Sequence, residues 1–251
     1  MDYDIKSINH RGQNYLAPEN TLEAYKLSAL AGFKFVECDI SFTKDGIPVL
    51  LHDDTIDRTS NGTGAIKDLT LAEARQYDYG SWFSPEWAGV QIPTLEEFLM
   101  LCKEYNLHPY IEIKWGTFNS ATDAKVVVDL VEKCGMTGNV SYISFNPVEL
   151  GYVKEVDASA RLGCVISSTV AQDHINKALA LKTDTNEVFI DVYVSQGATG
   201  HNTVTLCKNA GIPLEVWTAD GTQIDTLDPY VSGVSSEYTI AGRYLENKTT
   251  T

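Results

Sequence analysis

The chain has 251 residues, with 34 acidic and 19 basic side chains and a formal net charge of −15. Its 43% hydrophobic and 21% charged content is that of a globular domain able to bury a core, which excludes disorder, collagen-like repetition and a disulfide-dense miniature. Without a basic surplus, nucleic acid and stable association with an anionic membrane are also excluded. An anionic small substrate would need a local counter-charge, such as a metal ion held by some of the carboxylates.

Apolar, β-rich runs alternate with helix-period stretches from end to end. Strands are expected at residues 5–9, 35–40, 110–113, 140–144, 162–166, 188–192, 214–217 and 233–235. Amphipathic helices are expected at 21–31, 94–105, 121–133, 148–156, 173–181 and 204–210. Asn20 and Pro93-Thr94 punctuate helix starts, and Gly32, Gly135 and Gly211 punctuate helix ends. Eight strands with intervening helices and no flexible linker predict a single (β/α)8 TIM barrel over residues 1–251, with a doubly wound open sheet as the alternative. Residues 54–92 break the rhythm, with Asn61-Gly62-Thr63-Gly64, a helix start at Thr70 and the aromatics Tyr79, Trp82, Phe83 and Trp87. That length reads as a small functional insertion or lid after the second strand. An aromatic cap with no part in the chemistry is the alternative.

Cys38, Cys102, Cys134, Cys164 and Cys207 are scattered, with no CxxC pair, and read as reduced, buried thiols. No apolar leader precedes the first strand and no stretch reaches the length of a membrane span. The expectation is therefore a cytoplasmic protein; a start this close to the first strand is also compatible with removal of an export signal. Nothing in the sequence addresses the oligomeric state.

Two of the five histidines sit beside other reactive groups, in His10-Arg11-Gly12 and His52-Asp53. Both follow apolar runs, where an imidazole can exchange protons near neutral pH, and Arg11 offers a planar fork to phosphate or carboxylate. Glu37 and Asp39 are two apart in Phe-Val-Glu-Cys-Asp-Ile and so share one strand face, and Glu112 and Lys114 repeat the spacing. Charges facing a barrel interior are costly unless paired or metal-bound. Three convergent carboxylates suit Mg²⁺ or Ca²⁺ rather than zinc, and an internal Glu–Lys ion-pair network is the competing reading.

These patterns together resemble the glycerophosphodiester phosphodiesterase family. The ordered set is His10-Arg11-Gly12, Ala17-Pro18-Glu19-Asn20-Thr21, Glu37-x-Asp39, Thr43-x-Asp45-Gly46, His52-Asp53 and Arg58-Thr59. It continues with Gly62-x-Gly64, Ile92-Pro93-Thr94-Leu95, Glu112-x-Lys114, Ser144-Phe145 and Val216-Trp217-Thr218. The resemblance implies a TIM barrel that hydrolyses small-molecule glycerophosphodiesters to glycerol phosphate and an alcohol. It implies His10 and His52 as the general acid–base pair, and Glu37, Asp39 and Glu112 as ligands of one divalent cation. Arg11 and Lys114 would hold phosphate oxygens, and Trp217 would lie at the mouth against the glycerol. Most relatives finish the last strand with a Thr-Asp-x-Pro-like element, whereas Gly233-Val234-Ser235-Ser236-Glu237-Tyr238 stands here, and Ala219-Asp220-Gly221 follows Trp217-Thr218. A phospholipase D- or C-type enzyme acting on intact lipids, or a barrel that only binds phosphorylated ligands, are the alternatives. His108, His174 and His201 read as structural, and Asp191 as either cavity-facing or a core hydrogen-bonding group.

Overall fold

The computed structural model describes residues 5–194, 201–224 and 227–237. Among these, nine strands form one sheet: β1 (Lys6–Asn9), β2 (Phe35–Phe42), β3 (Pro48–Leu50), β4 (His108–Ile113), β5 (Ser141–Ser144), β6 (Arg161–Ile166), β7 (Val188–Tyr193), β8 (Leu214–Trp217) and β9 (Val231–Ser236). All but β3 run parallel, and β1 pairs with both β2 and β9, so eight strands close into a TIM barrel. The doubly wound alternative is thereby excluded. The β1–β2 seam ends at Val36, and β3 takes over as an antiparallel partner of β2 from Ile40 to Phe42.

The helices are α1 (Leu22–Leu30), α2 (Leu71–Ala74), α3 (Leu95–Tyr105), α4 (Ala121–Lys133), α5 (Pro147–Val156), α6 (Gln172–Leu181), α7 (His201–Ala210) and α8 (Gly221–Ile224). Their starts follow local chemistry. Thr94 and Glu97 form a reciprocal capping box on α3, and Asn146 caps α5 ahead of Pro147 at its first position. Thr21, rather than Asn20, is the cap of α1, which frees Asn20 for the site described below.

Strand alternation divides the apolar residues into two layers. Val36, Cys38 and Ile40 of β2 and Ile111 and Ile113 of β4 face outward into the main core against the helices. Ile8, Tyr110, Ile143, Val165 and Phe189 fill the barrel itself. Gly163 lets that filling close, because a Cβ there would lie 2.3 Å from the Phe189 ring.

Residues 54–92 carry single 3₁₀ turns at Ile66–Asp68 and Pro85–Trp87 and the short α2, and their Ile56, Ile66, Ala74, Tyr79 and Ile92 form a second apolar cluster with Val49 and Leu51 at β3. Tyr79 is buried there, and Trp82 meets Phe83 edge-on at 5.8 Å, so these aromatics pack within the segment. All five cysteines are buried and unpaired. Among the described residues no helix is long and apolar enough to cross a membrane. Tyr238 and the tail 248–251 lie outside the described residues.

Candidate active site

The loop after β1 sets the first half of the site. His10 N–H donates to the Ser236 carbonyl (3.0 Å), and the chain then turns through left-handed backbone at Arg11 (φ 55°) and Gly12 (φ 78°). A non-glycine residue in that region is strained, and the strain here aims the Arg11 N–H at Glu37 Oε2 (3.0 Å). Gly12 is required twice over, since a Cβ there would also come within 2.8 Å of Ala24 Cβ.

Glu37 and Asp39 point into the barrel from β2, and Asp39 lies opposite Glu112 in the β2–β4 register. One ligand atom from each of the three buried carboxylates lies within 4.8 Å of the others. Burial first, then the neighbouring carboxylates, push Glu37 well above the ordinary carboxylate range and Glu112 up to about 7. Asp39 goes the other way: burial raises it, but Arg11, Lys114, His52 and the Asn20 amide outweigh that and hold it low. Arg11 Nε stands 3.1 Å from Asp39 Oδ2, and Lys114 Nζ stands 2.8 Å from Glu112 Oε1 and 3.5 Å from Asp39 Oδ1.

An internal ion-pair network therefore exists, as the competing reading held, but it is incomplete. Three carboxylates face two cations, and Glu37 Oε1 and Asp39 Oδ1 are buried without a hydrogen-bond partner. Unfilled oxygens on a hard, charge-deficient triad suit a divalent cation.

His52 follows β3, outside the barrel strands, and its Nδ1 lies 2.6 Å from Asp53 Oδ1. Arg58 then donates from Nε to Asp53 Oδ2 (2.7 Å) and through its two terminal nitrogens to the Glu19 oxygens (both 2.8 Å). Glu19 also accepts from Arg11 Nη1 (3.1 Å), so one charged chain runs from His52 to Asp39. Arg58 is the main reason that Asp53 sits at about 2. His10 is held differently: its Nε2 is 3.9 Å from Glu37 Oε2 and its Nδ1 is 3.6 Å from Glu237 Oε1. Burial lowers the His10 pKa, Glu237 opposes that, and Arg11 adds to the lowering.

The structure thus gathers His10, Arg11, Glu37, Asp39, His52, Glu112 and Lys114 at the carboxyl-terminal end of the barrel. Trp217 ends β8 there, half-buried, tilted on Tyr193 (4.9 Å) and edge-on to Phe145 (5.5 Å), with its indole N–H buried and unpartnered. Glu19, Asp53 and Arg58 join the site from motif positions to which the sequence assigns no role, Asn20 from one that reads as a helix start, and Glu237 from the departure at the end of the last strand. Asn20 donates to Asp39 Oδ2 (2.9 Å) and accepts from the Tyr25 hydroxyl (2.9 Å), which anchors the triad to α1. Asp191 faces inward from mid-barrel, buried and raised first by burial and then by Glu215 and Glu112, and one of its oxygens has no partner. His108 lies at the opposite end of the barrel, bonded to Ser141 (2.8 Å). His174 lies on α6, where its Nδ1 accepts from the Ala171 N–H (3.1 Å), and His201 begins α7.

Residues 10–233 match the model of the glycerophosphoryl diester phosphodiesterase family. A glycerophosphodiester phosphodiesterase of Caldanaerobacter subterraneus is 32% identical over 213 residues, covering 85% of each chain. An Oleispira antarctica phosphodiesterase, solved with the product sn-glycerol-3-phosphate, superposes with a TM-score of 0.85 at 26% identity over 96% of each chain. A glycerophosphodiester phosphodiesterase from Agrobacterium tumefaciens superposes with a TM-score of 0.75 at 26% identity, over 94% of this chain and 97% of that one. The family match thus spans nearly the whole closed barrel, and the protein belongs to the glycerophosphoryl diester phosphodiesterase family, enzymes that hydrolyse phosphoric diesters.

Proposed function

We propose that the protein hydrolyses glycerophosphodiesters to glycerol phosphate and an alcohol, with His10 and His52 as the acid–base pair. The observation that carries this reading is that both imidazoles have a carboxylate at Nδ1 and flank a buried triad short of one counter-charge. In this reading Arg11 and Lys114 hold the phosphoryl oxygens, and Glu37, Asp39 and Glu112 hold a Mg²⁺ or Ca²⁺ ion. When bound, that ion would neutralise charge on the phosphodiester and stabilise the more anionic transition state.

His10, kept neutral by burial and Arg11, is the group suited to accept a proton from the attacking glycerol hydroxyl. His52, whose Nδ1 faces the ionised Asp53, is suited to carry a proton to the departing alkoxide oxygen. The hydroxyl oxygen bonds to phosphorus as the alcohol leaves, giving a cyclic phosphate. Water then opens the ring with the two imidazoles exchanging roles. Residues 54–92 act as an insertion whose Arg58 ties Asp53 to Glu19, and Trp217 offers the glycerol an aromatic face. Buried free thiols support a cytoplasmic setting.

The test is a panel of glycerophosphodiesters and vesicle-bound intact phospholipids, assayed with Mg²⁺, Ca²⁺ or chelator, with the products identified. Release of glycerol phosphate that stops in chelator and returns with metal is the expected result. Full activity in chelator would remove the metal, and turnover of vesicle lipids alone would overturn the substrate class.

A further inference from the structure

A cavity of about 650 Å³ opens beside Lys114, between the loops that follow β4, β5 and β6. It is far larger than the triad needs, and no residue assigned to the chemistry other than Lys114 lines it. Since Lys114 lies against Glu112 and Asp39, the cavity begins where a held phosphoryl group would end. One wall is apolar, formed by Phe145, Val148, Val165 and Ile166. Phe145 also meets Trp217 edge-on at 5.5 Å, the side chain assigned to glycerol, which itself is not among the lining residues.

The polar atoms of the lining are mostly donors. Asn146 spends its Oδ1 on the Val148 N–H (3.1 Å), which leaves its amide N–H₂ available. His174 spends Nδ1 on the Ala171 N–H, so its Nε2 carries the proton. Ser167 and Ser168 are exposed at the rim and add hydroxyls. Lys177 is tied to Asp173 at 2.7 Å. Among the described lining residues there is no carboxylate. A quaternary ammonium group is usually held by a carboxylate or a cage of several aromatic faces; the described lining instead carries two lysines, and its aromatics are Phe145 and the 73% exposed Trp115, short of a cage.

We propose that this cavity is the subsite for the leaving alcohol and that it selects uncharged, hydroxyl-bearing alcohols over cationic ones such as choline. The C–H face of such an alcohol would lie on the apolar wall while its oxygens accept from Asn146, His174 and Lys114. The proposal rests on the diesterase reading above and adds the chemistry of the half of the substrate that departs.

The experiment compares kcat/KM for glycerophosphoglycerol, glycerophosphoinositol, glycerophosphocholine and glycerophosphoethanolamine, at low and high salt, on the metal-supplemented enzyme. The uncharged pair should be favoured about tenfold, the scale of one charge interacting across a partly solvated wall. In the Ser168→Asp variant the preference should shrink several-fold, and the shrinkage should weaken in high salt. Ser168 is exposed, so this change leaves the fold intact. Equal or better turnover of the choline ester by the unaltered protein would overturn the subsite and leave the diesterase reading standing. So would an unchanged ratio in Ser168→Asp. No turnover of any of the four would overturn both.

Discussion

The two ends of the barrel each bury a charged cluster, yet they are built in opposite ways. At the amino-terminal end Arg161 reaches Glu187 (2.6 Å), Glu215 (2.8 Å), the Ser141 hydroxyl (2.8 Å) and the Tyr110 hydroxyl (3.0 Å), while its guanidinium lies 4.0 Å over the Phe189 ring. Lys6 adds a second bond to Glu215 at 2.9 Å. Two cations thus meet two carboxylates in direct contact, Glu187 being half exposed, while Asp191 behind them makes no ion pair among the described residues and is pushed up by burial and Glu215. Burial pushes His108 beside them down to about 4, so it stays neutral and adds no charge. At the other end three carboxylates meet two cations. A stray unpartnered oxygen does not distinguish the clusters, because Glu215 Oε2 also lacks a partner. Charge balance does. Buried charge marks a functional site when it is left unbalanced, and a structural one when the fold neutralises it.

The sharpest test of that contrast is to break each cluster in turn. His10→Ala and His52→Ala should each lower kcat by at least about 10²-fold, with thermal stability little changed. Asp39→Asn should do the same and also abolish calorimetrically detected Mg²⁺ or Ca²⁺ binding. Arg161→Ala should lose about 3 kcal/mol of stability in denaturant melts, because Glu215 keeps only Lys6 as a cation, with the Tyr110 hydroxyl at 3.3 Å. Its kcat per folded molecule should stay close to wild type. A folded Arg161→Ala protein with kcat reduced 10²-fold would mean that the amino-terminal cluster also serves the chemistry.

The second test uses pH. In chelator, Glu112 binds its proton more tightly folded (about 7) than unfolded (ordinary value 4.5), so the folded state holds the extra proton between those values. Stability then falls as pH rises through that window and levels above it. His10 and His108 have lowered values and oppose the trend, so the clean measurement is a difference. Glu112→Gln should match the wild-type protein near pH 4.5 and exceed it by up to about 3 kcal/mol above pH 7. Saturating metal should erase that advantage. A difference independent of pH would show that Glu112 is not held in repulsion.

The barrel and the inner site were legible because their signals are local. Two-residue spacing put Glu37 with Asp39, and Glu112 with Lys114, on inward faces, and the strands around them read as short apolar runs. What escaped was long-range or unusually paired. Strand β3 is three residues long and pairs antiparallel, so its sequence read only as an apolar run before His52. Asn20 looked like a helix cap, yet Thr21 takes that role and Asn20 turns inward through left-handed backbone (φ 56°). The link from Arg58 to Glu19 and Asp53 joins two loops distant in sequence, and no periodicity encodes it. Glu237 reaches His10 from the opposite end of the chain, brought there only by closure of β9 onto β1.

The smallest expected effects separate the two imidazoles from one another. His52 has a carboxylate at 2.6 Å that Arg58 clamps from the far side, so its ring orientation and proton position are firmly set. His10 has Glu237 at 3.6 Å, with that side chain 43% exposed and without a second ion pair among the described residues. A neutral amide in place of either carboxylate keeps the shape but removes the acceptor that favours a proton on Nδ1. Asp53→Asn should therefore lower kcat by about tenfold or more, and Glu237→Gln by less, on the scale of one charge-assisted hydrogen bond. KM should hardly move in either, since neither carboxylate is placed to touch the phosphate. Glu237→Asp should recover part of the loss if water can bridge the longer gap. A Glu237→Gln enzyme with unaltered kcat across pH 5–9 would show that His10 is oriented by its backbone and Glu37 alone. A Glu237→Gln loss larger than that of Asp53→Asn would show that the weaker contact tightens when substrate fills the site.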